Sequence, residues 1–225
     1  MAGVAPCPDG LEPIGARASD GVELSGCWRA PAGRRPVIVF FPGNAGNIRS
    51  EAEMALPLAD RGRGLLVASW RGFGDNPGQP SEVGLFADGA AFLAEAQRRS
   101  PEAPVVLFGY STGAAVALNT ARREEALLAV VTLGAFTDMP SLAPGLARGL
   151  MRDRFDNLSA IAEVHAPIFL IHARDDEVVP FDHAEALKAA SGGQATLIAV
   201  TRGGHRLDLG TLTTALDRIE AEAAR

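Results

Sequence analysis

From Leu107 to Leu118 the chain reads LFGYSTGAAVAL: an apolar run of β character, one serine between two glycines, then an alanine-rich run of helical character. This stretch limits the possible folds most tightly, because a strand that passes so abruptly into a helix needs a turn of almost no side-chain volume. Gly109 and Gly113 supply the room, since a β-carbon at either position would collide with neighbouring backbone. Ser111 is then expected in strained φ/ψ, with its Oγ pushed out of the turn and above a sheet. An ordinary tight turn is the plainer reading. The rest of the chain has to decide.

The flanking sequence repeats the strand-then-helix rhythm. Short apolar runs suited to strands lie at Val37–Phe41, Leu65–Trp70, Val105–Gly109, Leu127–Leu133, Ile168–His172 and Thr196–Val200. Between them lie helix-length segments at Ile48–Arg61, Glu82–Arg99, Thr112–Arg123, Asp182–Ser191 and Leu209–Ala223, with Pro57 expected to kink or shorten the first. This alternation predicts an α/β fold, a mostly parallel central sheet with helices on both faces. An Asp-Gly turn at 20–21 adds an N-terminal antiparallel hairpin near Pro13–Arg29. At 225 residues, 47% of them hydrophobic, the chain suits one domain over residues 1–225 with a sizeable core. One connection breaks the rhythm. Residues 137–164, TDMPSLAPGLARGLMRDRFDNLSAIAEV, have helical spacing only in pieces, and a short lid-like insertion of one or two small helices is expected there.

A net charge of −6 without a basic patch argues against nucleic acid or an anionic membrane as partner. Runs such as VIVFF and LLAVVTLGAF fall far short of the roughly 20 residues that span a bilayer, so no stable membrane anchor is expected. The start, MAGVAPCPDGLEP, lacks the basic and apolar regions of a secretory signal. Cys7 and Cys27 have no metal-ligand spacing and are expected as free thiols in a reducing compartment, a disulfide being the alternative. The cytoplasm is therefore the expected location, while the oligomeric state is not legible.

If Ser111 is a nucleophile, a base must take its proton. Of four histidines, His165 precedes a predicted strand, His183 begins a predicted helix, and His172 at a strand end suits a satisfied polar group beside the site. His205, in TRGGHRLDL after the last strand, is the expected base, because Gly203 and Gly204 free its loop to swing the imidazole over the sheet. A third group must orient that imidazole. HARDDEVVPF offers two acids, of which Asp176 is expected, with Val179 anchoring the loop, and Asp175 is the alternative, one of the pair facing water. Ser111, Asp176 and His205 each follow a separate predicted strand. Their N–H partners for an oxyanion are expected at Thr112, which opens the helix, and Asn44 in FFPGNAGN, with Ala45 as neighbour. That glycine-rich loop could instead cradle phosphate, but no lysine follows it and the P-loop pattern is absent.

With these pieces placed, the chain resembles the α/β-hydrolase superfamily over about residues 20–220. More narrowly it resembles the small Bem46-like group, with the ABHD12, ABHD13 and ABHD17 types and the serine aminopeptidase-like hydrolases. The family's H-G-N-A-G-N loop corresponds to Pro42-Gly43-Asn44-Ala45-Gly46-Asn47, and its Y-R-G-[YF]-G segment to Trp70-Arg71-Gly72-Phe73-Gly74. GQPSEVGLFADGAAFL, the elbow, the Asp176-to-Pro180 loop and the Gly-His of the last loop also match. Pro42 departs from the usual histidine, and the segment at Asp75-Asn76 lacks the family's common serine. Arg71 suits either a loop-orienting fork of donors or a solvated strand-end charge. Asp88 is expected as a structural helix-start hydrogen bonder.

The resemblance implies a serine hydrolase that needs no metal or organic cofactor. It would cleave an ester or thioester of a small or extended acyl substrate through an acyl-enzyme. An aminopeptidase-like amide hydrolase and a non-catalytic ligand-binding protein of the same fold are the alternatives. A dehalogenase would need a carboxylate where Ser111 stands.

Overall fold

The computed structural model describes residues 7–44, 47–143 and 145–223. Among them, eight strands form one sheet: β1 (Glu12–Arg17), β2 (Glu23–Arg29), β3 (Val37–Phe41), β4 (Gly64–Val67), β5 (Val105–Tyr110), β6 (Leu127–Leu133), β7 (Ile168–Ala173) and β8 (Ala195–Val200). Their order across the sheet is β1-β2-β4-β3-β5-β6-β7-β8. The β1–β2 hairpin is antiparallel, as is the β2–β4 pair, and every other neighbouring pair is parallel. The expected mostly parallel sheet with an N-terminal hairpin is what forms.

The strand sequences explain the layering. β3 reads VIVFF and is buried throughout, because helices cover both faces and every residue meets apolar neighbours. Val37, Val39 and Phe41 point to one core, Ile38 and Phe40 to the other. The first core is closed by α2 (Glu82–Arg99), α3 (Thr112–Ala121), α5 (Asn157–Ala162) and α6 (Asp182–Ala190). The second is closed by α1 (Ile48–Ala55) and α7 (Thr213–Ala223). α2 begins at Ser81, whose hydroxyl accepts from Gly84 N at 3.2 Å, and carries Arg98 and Arg99 in its last turn. Pro57 ends α1 early, and the chain continues as a 3₁₀ turn, Leu56–Gly62. No helix among the described residues is long and apolar enough to cross a membrane.

The chain passes from β3 to β4 on one side, then crosses back to β5 on the other. The loops leaving β3 and β5 therefore diverge and open a crevice at the carboxyl ends of the strands, the position where open α/β sheets bind ligands.

Two expectations are corrected. Asp88 does not serve the helix start, which Ser81 caps. It lies inside α2, fully buried, and accepts from Arg71 N at 3.0 Å, Nε at 2.9 Å and Nη2 at 2.7 Å. Arg71 is accordingly no solvated charge. Its fork also reaches Asp20 in the β1–β2 turn at 2.5 Å, and these carboxylates, Asp88 foremost, push its pKa up. The two cysteines are not free thiols. Cys7 and Cys27 form a disulfide with Cα atoms 5.7 Å apart, because the segment before β1 lies against β2, where Cys27 is fully buried.

Residues 137–164 fold as α4 (Met139–Leu142), a 3₁₀ turn (Gly145–Leu150) and α5. The base of this excursion is pinned. Met139 N donates to Arg154 O at 2.7 Å, Asn157 N to Thr137 O at 2.9 Å, and Asn157 Nδ2 to Phe136 O at 2.8 Å.

Removing Asp88 would strand a buried guanidinium, whereas Asp20 is half exposed and water can replace it. Asp88→Ala is expected to lower unfolding free energy by about 3–5 kcal/mol in urea titration. Asp20→Ala should cost far less, and equal losses would contradict the buried pairing.

Candidate active site

The site starts from the turn after β5. Ser111 has φ 53° and ψ −118°, a left-handed conformation that costs an L-residue about 1–3 kcal/mol. The turn is held by Ser111 N donating to Leu133 O at 2.8 Å and Ala114 N to Ser111 O at 2.9 Å. A β-carbon on Gly109 would lie 2.4 Å from Gly113 O, and one on Gly113 would lie 2.0 Å from Phe41 O. Neither glycine could carry a side chain without moving backbone. The tight-turn reading fails, since such a bend leaves Ser111 Oγ projecting towards the loops.

His205 meets it. Its Nε2 is 2.9 Å from Ser111 Oγ and its Nδ1 is 2.9 Å from Asp176 Oδ2. A carboxylate can only accept, so Nδ1 carries the proton and Nε2 presents a lone pair to the serine hydroxyl. Asp176, with a side chain 1% exposed, spends its other oxygen on Val178 N at 2.9 Å and Val179 N at 2.8 Å. Val179 is buried and anchors that loop, as expected. The three residues expected from sequence are thus brought into one hydrogen-bonded chain.

The other histidines stand where the sequence left them. His172 is fully buried, donates Nε2–H to Val179 O at 2.8 Å, and lies 3.4 Å from Asp176 Oδ2. Burial pushes its pKa down, so it stays neutral beside the carboxylate rather than competing with His205 for it. His183 Nδ1 accepts from Thr137 N at 3.2 Å and ties the start of the 137–164 excursion to α6. His165 is exposed.

The β3 loop lies beside the serine. A β-carbon on Gly43 would be 3.4 Å from Ser111 Cβ and 3.3 Å from the Tyr110 ring. Asn44 follows, exposed, while its neighbour Ala45 falls outside the described residues. Thr112 is the first residue of α3, where a backbone N–H has no acceptor within the helix and points to where an anion would sit. Trp70 Nε1 donates to Pro42 O at 3.1 Å and so holds the entry to this loop. Among the described residues no group of three or more metal-ligating side chains occurs.

Several residues support the site in ways the sequence pattern does not show. Gly134, with φ 62° just after β6, leaves the space the imidazole fills, since a β-carbon there would be 3.0 Å from His205 Cε1. Its signal in the sequence is a lone glycine inside the apolar run LLAVVTLGAF. Asp175, the exposed member of the acid pair, accepts from Gly203 N and Gly204 N, both at 3.0 Å, and braces the loop that carries His205. Those amides, Gly204 first, hold its pKa below the usual 3.8. Asn76 accepts from Ser25 N at 2.9 Å and donates to Ser69 O at 2.7 Å, fixing the loop after β4 to β2. Glu51 is buried beneath the β3 loop with Oε2 unpartnered, and burial pushes its pKa up. A cavity of about 650 Å³ lies at the amino ends of β3 and β5, between Pro36 and Pro104, where Arg61 pairs with Asp217 and Arg35 with Glu220.

Comparison with known proteins agrees with this fold. Residues 36–158 match a family model described as the alpha/beta hydrolase fold. An uncharacterized protein of Mycobacterium tuberculosis is 33% identical over 241 aligned positions, covering 99% of this chain and 85% of that one. The Pyrococcus furiosus esterase superposes with a TM-score of 0.78 at 16% identity, over 96% of this chain and 91% of that one. Acylaminoacyl peptidase from Pyrococcus horikoshii does so with a TM-score of 0.69 at 19% identity, over 96% and 41%. At those identities the two structures speak for the fold alone.

The Asp175 brace has a direct readout. In Asp175→Ala the Gly203 and Gly204 amides should exchange with solvent roughly tenfold faster, while core strands are unchanged. A carboxyl with lowered pKa contributes fully above its unfolded value and loses that contribution as pH falls through the folded one. The wild-type brace should therefore hold at pH 5 and loosen only below 3.8.

Proposed function

Because the chain belongs to the α/β-hydrolase fold family, we propose that it is a serine hydrolase acting on an ester or thioester of a small-molecule acyl substrate. The observation that carries this reading is the unbroken hydrogen-bond chain from Ser111 Oγ through His205 to Asp176. A ligand-binding relative without catalysis would have no use for a strained serine aligned on an imidazole lone pair.

In this mechanism Ser111 Oγ attacks the acyl carbonyl as its proton passes to His205 Nε2. Asp176 stabilises the resulting imidazolium through the Nδ1 proton. The carbonyl oxygen becomes an oxyanion, met by the backbone N–H groups of Asn44 and Thr112. Collapse of the tetrahedral species breaks the bond to the leaving group, which departs with the proton from His205. Water then adds to the acyl-enzyme, His205 taking its proton, and the acid is released as that proton returns to Ser111. No step calls on a metal or an organic cofactor.

We also place the disulfide-bonded form in an oxidising compartment instead of the expected cytoplasm, since a reducing thiol pool would open the Cys7–Cys27 bond. Alkylation of the protein in freshly lysed cells, before any reductant, should leave both cysteines unlabelled. Rapid labelling would return it to the cytoplasm.

A fluorophosphonate probe tests the nucleophile. The wild-type protein should be labelled at Ser111 and should hydrolyse p-nitrophenyl butyrate. Ser111→Ala should lose labelling and at least about 10⁴-fold in kcat. Turnover that survives this substitution refutes the reading, and hydrolysis of aminoacyl-nitroanilides in preference to esters would move the substrate to amides.

A further inference from the structure

A cleft of about 230 Å³ opens beside the serine, lined by Asn44 and Thr112 at one end and by Leu85, Met139, Met151 and Phe155 along its walls. Three of those walls come from the excursion after β6 and one from α2. We infer that this cleft is the acyl subsite, and that it selects unbranched aliphatic chains of medium length, about six to eight carbons. The inference rests on the serine-hydrolase reading and specifies its substrate.

Position is the first reason. Thr112 follows Ser111 directly and Asn44 follows Gly43, whose β-carbon would be 3.4 Å from Ser111 Cβ, so the end of the cleft that these two line adjoins an acyl group bonded to Oγ. Chemistry is the second. Leu85, Met139, Met151, Phe155 and Pro80 make most of the wall apolar, the two polar side chains on it, Ser81 and Asp153, already accept from Gly84 N and Glu82 N, and methionine adapts to a flexible chain. Size is the third. Liquid water takes about 30 Å³ per molecule, so the cleft holds roughly seven or eight groups of that size.

The ceiling on length comes from the latch at the far end. Asp153 Oδ1 accepts from Glu82 N at 3.0 Å, and Glu82 Oε2 accepts from Arg154 N at 2.7 Å. This reciprocal pair fastens the Met151–Phe155 stretch to the first turn of α2. Phe155 is itself held edge-on between Phe86 and Phe136, with centroids 5.6 Å and 6.4 Å away. The wall is fixed before substrate arrives, so a longer chain must turn out into water.

The experiment is a series of p-nitrophenyl esters from acetate to palmitate, read as kcat/KM. For wild type we expect a rise of up to about fourfold per added methylene, the ratio equivalent to about 0.8 kcal/mol per buried CH₂. The rise should end near the octanoate. Met139→Trp and Met151→Trp, at partly exposed positions, should move that break to shorter chains, and Met139→Ala should move it to longer ones. Labelling rates with alkyl fluorophosphonates of increasing length give the same profile without turnover. A flat profile, a maximum at acetate, or a break that none of the three variants moves overturns the subsite while leaving the hydrolase intact. Absence of both labelling and ester turnover overturns the hydrolase reading, and the subsite with it.

Discussion

The close approach of the first turn of α3 to the end of β3 governs the rest of the site. Only a hydrogen at Gly113 allows the helix backbone to rest on the Phe41 carbonyl, because a β-carbon would be 2.0 Å from that oxygen. Everything at the carboxyl edge follows from this contact. It brings the N-terminus of α3 beside the β3 loop, where a β-carbon on Gly43 would be 3.4 Å from Ser111 Cβ. It also bends the chain sharply enough to force Ser111 to positive φ. The strain is sustained by the parallel register that pairs Phe41 with Gly109 and by the buried length of α3, every residue of which from Thr112 to Ala121 is enclosed. Small side chains on that helix therefore matter as much as the two glycines. A bulkier helix would stand off the sheet and lift the serine with it.

Opposite the elbow, the loops after β7 and β8 are held by two carboxylates as well as by the buried side chains of Val179 and Leu207. Adjacent aspartates divide the work. Asp176 turns inward, where two amides and one imidazole satisfy it, while Asp175 turns outward and grips the two glycine amides that precede His205. The glycines free the loop to reach back over the sheet, and the Asp175 carboxylate removes part of that freedom again. Gly134 completes the arrangement by absence, because the imidazole occupies the volume a side chain there would need. An uncharged His172 below Asp176 adds a dipole without adding a competing cation.

What the sequence disclosed and what it withheld divide along a physical line. Val37–Phe41 and Leu127–Leu133 were legible to the residue as strands, and Glu82–Arg99 as a helix, because local signals bound them: apolar runs, the Ser81 cap, the Ser100-Pro101 stop. Ser111, Asp176 and His205 were legible because each follows a strand and must end at the same sheet edge. Contacts set by tertiary register were not. Asp88 carries the look of an early-helix acid, and only the approach of the β4 loop reveals it as the partner of Arg71. Cys7 and Cys27 are separated by 20 residues and give no periodic hint of pairing. Asp175 reads in the sequence only as the alternative orienter or the acid facing water, since a preference for one acid says nothing about what its neighbour holds. The apolar run Leu65–Trp70 outlasts β4, which ends at Val67, because Ala68, Ser69 and Trp70 stay buried after the ladder ends.

The Pro42 departure shows how such tertiary contacts can stand in for a missing local one. Proline in that loop removes a backbone N–H, and the imidazole of the resembled family's motif is absent as well. Its carbonyl remains, and Trp70 occupies the position of the motif's tyrosine. The indole N–H donates to that carbonyl from a ring stacked on Phe41 at 5.7 Å. A phenol in the same place would have to orient a rotatable hydroxyl, whereas the indole is a donor alone and its direction is set by the ring plane. Trp70 is in turn held from behind, since Asn76 bonds the carbonyls of Ser69 and Trp70 and Arg71 is clamped by Asp88. The rigidity lost from one side of the β3 loop is thus supplied from the loop after β4. Substitutions at 42 and 70 should therefore be coupled, because the indole bonds the carbonyl of the residue at 42 and so holds the backbone that a substitution there would release.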